Sequence, residues 1–87
     1  MSEPDRPPVH ESLKVIDHRT LLKRGRWWSE AVLVDSFGRK QIGLYLWLKT
    51  NGRWKRKQKF VIRNKENWQK VKEAVEDLLK RMEGEEE

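Results

Sequence analysis

Cysteine is missing from this 87-residue chain, which excludes disulfides and thiolate metal sites together. Proline is nearly as scarce. All three prolines fall within residues 1–11, beside little apolar material, so that stretch reads as a disordered tail. No apolar run approaches the length of a membrane span, and the opening MSEPDRPPVH lacks the apolar centre of a signal peptide. The expectation is a soluble, cytoplasmic protein, nucleoid-associated if the source is prokaryotic. Histidine occurs twice, as His10 and His18, and both read as solvated surface residues. Within residues 19–65 the only carboxylates are Glu30 and Asp35. No Ser-His-Asp set, metal-ligand cluster or phosphate-cradling glycine loop is present. Neither catalysis nor a cofactor is therefore expected.

What the chain has in abundance is charge. Charged residues make up 39% of it, with few amides, a composition compatible with a hyperthermophilic source. The net charge of +6 conceals a division along the chain. Residues 1–18 hold two cations and four anions, net −2, and residues 66–87 hold four cations and eight anions, net −4. Residues 19–65 hold fourteen cations and two anions, net +12. A positive field concentrated between acidic ends points to a polyanionic partner.

The length suits one domain, placed at residues 12–83 between the tail at 1–11 and an acidic tail at 84–87. A chain this short buries only part of its surface, so a second subunit would supplement its stability. Residues 13–24 mix strand and helix periodicities and are taken as a strand or irregular segment leading into a sheet. Residues 27–35 read as a strand, 36–39 as a turn, and 40–49 as the clearest strand, with Ile42, Leu44, Leu46 and Leu48 alternating with Gln41, Gly43, Tyr45 and Trp47. Thr50-Asn51-Gly52 marks a turn before a strand at 54–63. Residues 65–83 read as a helix capped by Asn64, with Trp68, Val71, Val75, Leu78 and Met82 on one stripe. The fold class expected is α+β, a curved antiparallel sheet of about four strands backed by one C-terminal amphipathic helix.

The helix stripe needs an apolar sheet face, and the even-numbered residues Ile42, Leu44, Leu46, Leu48, Phe60 and Ile62 supply one. For these to oppose each other, the residue numbers of a pair must add to an even value. A two-residue Asn-Gly turn would instead set Leu48 against Lys55 on the core face, so a three-residue loop or an equivalent bulge in the strand is predicted. In that register Trp54 opposes Leu48 and closes the apolar layer, the alternative being contact with a ligand. Tyr45 and Trp47 then point outward beside Lys55, Lys57 and Lys59. With Val32 and Val34 taken as core, Trp27, Ser29, Ala31 and Leu33 join that outward face.

Aromatic rings interleaved with lysines suit single-stranded nucleic acid, whose bases stack on rings at about 1–3 kcal/mol each while cations track the phosphates. Tyr45, Trp47 and Trp27 are the candidate stacking residues. Lys49, Lys55, Lys57, Lys59 and Arg63 are the candidate phosphate ligands, with Arg24, Arg26, Arg39, Arg53 and Arg56 widening the field. Two other accounts remain open. The same rings would also serve a subunit or partner interface, as in a protein–protein adaptor or transcription cofactor. Lysines also blunt sheet edges against aggregation.

VLVDSFGRKQIGLYLWLK followed by FVIRNKENWQKVKEAVEDLL resembles the core of the transcriptional positive-cofactor-four-type coactivators. The matching positions are Phe37-Gly38-Arg39, the Phe60-Val61-Ile62 strand and Trp68. The same stretch, residues 27–80, is similar to the ThermoDBP-related archaeal single-stranded DNA-binding proteins. The resemblance implies a curved antiparallel sheet backed by a helix, a homodimer or higher homo-oligomer, and single-stranded DNA held in the curved face. Lys55-Arg56-Lys57 stands where the coactivators carry a basic segment with proline and glycine.

Overall fold

In a computed structural model, which describes residues 7–84, the chain forms four strands and then a helix. These are β1 (Lys14–Arg24), β2 (Trp27–Ser36), β3 (Arg39–Thr50), β4 (Arg53–Ile62) and α1 (Lys65–Met82). The strands make one antiparallel sheet in the order β1-β2-β3-β4. The class is α+β, as the residue periodicities indicate. Residues 1–6 and 85–87, which include most of the two expected tails, lie outside the described residues.

Both later turns have two residues. Phe37 and Gly38 take φ of 54° and 89°, and Asn51 and Gly52 take 53° and 78°. Paired positive φ values suit the right-handed twist of a hairpin and fix its register. Ser36 therefore opposes Arg39, and Thr50 opposes Arg53. The three-residue loop expected at 50–52 does not form. The alternative bulge does: Trp47 opposes Arg56 while Leu46 opposes Gln58, leaving Lys57 as the extra residue. Beyond that bulge Leu44 opposes Phe60 and Ile42 opposes Ile62, so the expected pairing of apolar residues is recovered.

The β2–β3 turn corrects a second expectation. Its two-residue length sets Trp28 opposite Trp47, Glu30 opposite Tyr45 and Val32 opposite Gly43. Val32 and Val34 thus share a face with Tyr45 and Trp47, whereas Trp27, Ser29, Ala31 and Leu33 lie with Leu48, Leu46, Leu44 and Ile42 on the other. The buried core is Trp28, Val32, Val34, Tyr45 and Trp47, with Val9, Leu13, Val15 and Trp54 packed against it. Pro7 is also buried. Residues 7–11, expected to belong to a disordered tail, instead carry apolar side chains onto this aromatic face. Gly43 makes room for it, because a Cβ there would lie 2.5 Å from Cε1 of Tyr45.

Asn64 caps the helix as predicted, its side chain accepting from the Asn67 N–H at 2.7 Å. The helix meets the even-numbered sheet residues only at its first turn, where Trp68 sits beside the buried Ile62 and near Ile42, and it leaves the others uncovered. Its packing is mainly against β4, which it follows in sequence, and none of its own residues is buried. The cover expected from α1 is replaced, on the opposite face, by residues 7–15. Among the described residues no helix is long and apolar enough to cross a membrane.

Candidate nucleic-acid interface

Four rings form a continuous array across three strands. Tyr45 and Trp47 stack with centroids 5.2 Å apart and planes 8° apart. Trp28 tilts against Trp47 at 5.2 Å, and Trp54 meets Trp28 edge-on at 5.3 Å. The array exists because β2 and β4 bring Trp28 and Trp54 to the face that alternate residues of β3 already occupy. Tyr45 is 4% exposed and Trp47 1%. Their expected outward exposure is thus corrected: neither ring offers a face to a base while residues 7–13 lie over the array. Trp27, expected beside them, sits on the opposite face and is 42% exposed. Trp54 does close an apolar layer, but it opposes Lys49 and joins the aromatic array instead of facing Leu48.

Three ammonium groups lie over these rings: Lys23 over Trp28 at 4.0 Å, Lys49 over Trp54 at 5.6 Å and Lys59 over Tyr45 at 5.6 Å. Each ring face attracts the cation that caps it. Lys59 and Arg56 also line an open hollow of about 380 Å³ with Tyr45, His10 and Leu13. Burial pushes the Tyr45 phenol above its ordinary pKa, and the positive charge of Arg56 partly opposes that.

All ten candidate phosphate ligands are exposed. Strand β4 brings Arg53, Lys55, Arg56, Lys57 and Lys59 along one edge of the sheet, and Arg63 follows it. Lys55 opposes Leu48 and so lies on the face opposite Arg56 and Lys59. Lys57, as the bulge residue, lines a trough of about 730 Å³ with Leu44, Leu46 and Phe60. The meander puts the β1–β2 and β3–β4 turns at one end of the sheet, where the Lys49 N–H donates to the Arg26 carbonyl at 2.8 Å. Arg24, Arg26, Lys49 and Arg53 therefore gather at that end. Arg39 and Arg63 belong to the other end.

One charged group in the core lies beyond the sequence reading. Glu30 is fully buried beside Tyr45. Its Oε1 accepts from Trp28 Nε1–H at 2.7 Å and from the Thr20 hydroxyl at 3.0 Å, and its Oε2 meets His18 Nδ1. His18 is thus a partner of a buried carboxylate, not the solvated residue expected. No buried side-chain polar atom among the described residues lacks a partner, so the cost of burying this charge is offset locally. The available signal was the pattern WWSEAVLV, in which Trp28, Glu30, Val32 and Val34 share one parity.

Compared with family models, curated proteins and solved structures, the chain matches none. Its chemistry is read from its own residues. Within β1, Arg19 and the backbone N–H of His18 both donate to the Asp17 carboxylate and hold it below the usual range. No group of three or more potential metal ligands occurs among the described residues.

Proposed function

We propose that this protein binds single-stranded DNA or RNA with little sequence preference, along β4 and the end of the sheet that carries Arg24, Arg26, Lys49 and Arg53. The observation that carries this reading is the run of exposed cations from Arg53 to Arg63 on an edge strand. A flexible strand can follow such an edge, setting its phosphates against successive cations. Trp27 and the half-buried Trp54 are the rings available for stacking at that end. Tyr45 and Trp47 stack bases only after residues 7–13 move aside. No cofactor is required.

The experiment is a titration of single-stranded DNA, single-stranded RNA and duplex, followed by tryptophan fluorescence across a range of salt. The expected result is quenching by the single strands, with affinity falling by a log–log slope of about −0.7 per phosphate neutralised. Reversing Lys55, Lys57 and Lys59 to glutamate should weaken binding and flatten that slope by about 0.7 for each phosphate no longer neutralised. Tight binding to duplex alone would contradict the reading.

A second reading is favoured by a separate observation. Trp27 shares an uncovered face with Leu22, Leu44, Leu46, Leu48 and Phe60, which suits a subunit or partner interface. As an adaptor for an acidic protein, the chain would show no measurable affinity for oligonucleotides at moderate salt. Homo-oligomerisation is compatible with both readings.

A further inference from the structure

Arg56 and Lys59 are three residues apart, and in an unbroken strand an odd separation sends two side chains to opposite faces. The bulge at Lys57 changes that. The extra residue resets the alternation, so Arg56 opposes Trp47 and Lys59 opposes Tyr45, both on the face of the aromatic array. The result is two cations about 7 Å apart along β4 that act on one ring. Lys59 lies over Tyr45 at 5.6 Å, and the Arg56 charge reaches the Tyr45 phenol.

These three side chains border the hollow of about 380 Å³, and Pro8, Val9, His10 and Leu13 supply the rest of its lining. That volume lies near the lower end of the range for small-ligand sites, about 300–1,000 Å³. None of the lining residues is a carboxylate. Glu30, which opposes Tyr45, spends its oxygens on Trp28, Thr20 and His18. Two neutral donors accompany the cations. Burial keeps the Tyr45 hydroxyl protonated. His10 Nδ1 accepts from the Ser12 N–H at 3.0 Å, which places the proton of the neutral ring on Nε2.

The geometry points to a site for a phosphate monoester, held by Arg56 and Lys59, with Tyr45 and His10 donating to its oxygens. A monoester carries a charge of about −1.5 to −2 at neutral pH and three acceptor oxygens, which matches two cations and two further donors. The planar guanidinium of Arg56 suits two of those oxygens at once. A phosphodiester within a strand carries a single charge and must continue in both directions. Residues 7–13 lie over the array beside the hollow and close one of those paths, so the site takes an end and not a passing strand. The monoester has two possible sources: the terminal phosphate of a strand lying along β4, or a free nucleotide. The first rests on the nucleic-acid reading and the second does not.

The test uses the full chain in two arms. In the first, AMP, inorganic phosphate and adenosine are titrated while the proton resonances of Tyr45, the sole tyrosine, and of His10 are followed. Saturable shifts with AMP and phosphate, and none with adenosine, are expected. In the second, one single-stranded oligonucleotide is compared with and without a 5′-phosphate, and the phosphate should tighten binding by about tenfold. Replacing Arg56 and Lys59 together by glutamine should abolish the shifts and the 5′-phosphate preference, with circular dichroism retained because both residues are exposed. Lys55→Gln, on the opposite face, should weaken oligonucleotide binding and leave the preference intact. Shifts without a preference would make the ligand a free nucleotide, and a preference without shifts would make it a strand end; the inference stands in both cases. AMP binding by a chain that ignores oligonucleotides would remove only the nucleic-acid reading. Absence of both effects would overturn the inference, and so would their survival in the doubly substituted chain.

Discussion

The Tyr45 ring lies over Gly43, two residues back on the same strand, in the space that a side chain at Gly43 would occupy. A Cβ there would come within 2.5 Å of Cε1 and 3.2 Å of Cζ. Gly43→Ala must therefore displace the ring, which is stacked on Trp47 and walled in by residues 7–13. The expected cost is about 1–3 kcal/mol, as for other overpacked cores. Urea unfolding should show a lower midpoint with an unchanged slope. A midpoint equal to wild type would mean that the ring has somewhere else to go.

Glu30→Ala should be among the most damaging single changes outside the turns. It removes the acceptor for Trp28 Nε1–H and strands Thr20 and His18. We expect a loss of about 3 kcal/mol. Glu30→Gln should cost less, because one carbonyl oxygen remains to accept from Trp28. Thermal unfolding of both variants beside wild type checks the order.

Tyr45 is the only tyrosine in the chain, so phenolate absorbance reports it alone. Its pKa is raised above the ordinary 10.0 by burial. In the unfolded chain the phenol ionises near that ordinary value, while the folded chain still holds its proton. Between the two pKa values the unfolded state binds fewer protons, so stability falls as pH rises past about 10 and is unaffected by this group below that. The absorbance midpoint of the native protein should lie above that of the protein in urea. A native midpoint at or below the unfolded one would show that the ring is open to solvent.

Phe37 is an 89% exposed aromatic residue held at φ 54°, a left-handed conformation that costs a bulky side chain about 1–2 kcal/mol. Phe37→Asn should stabilise the hairpin by about 1 kcal/mol, because Asn-Gly favours this turn. The gain should appear as a raised thermal midpoint. A fall would mean that Phe37 makes a contact worth more than its backbone strain.

The strands, the helix and its Asn64 cap were legible because each rests on local periodicity or a neighbouring side chain. The β3–β4 bulge was legible as one of two ways to seat Leu44 against Phe60. Which face is buried was not. That outcome turns on whether Phe37-Gly38 makes a two-residue turn, and phenylalanine at its first position gives no hint of the positive φ it adopts. The Glu30 site was hidden for a related reason, since a carboxylate reads as solvent-facing until its parity with Trp28 is fixed. Nor could local pattern tell that the helix would pass the sheet by. The amphipathic stripe states that α1 needs an apolar surface, and says nothing of whose surface that is.

Every strand in this sheet bonds only to its immediate neighbours in the chain, from β1 through to β4. Ordering any one ribbon therefore closes only a short loop, and the search that slows most all-β topologies is avoided. Asn51-Gly52 is a natural place for such zipping to begin. The consequence is a sequence of events: the sheet is laid down early from within the chain, and α1 settles its first turn against β4 once that strand is in place.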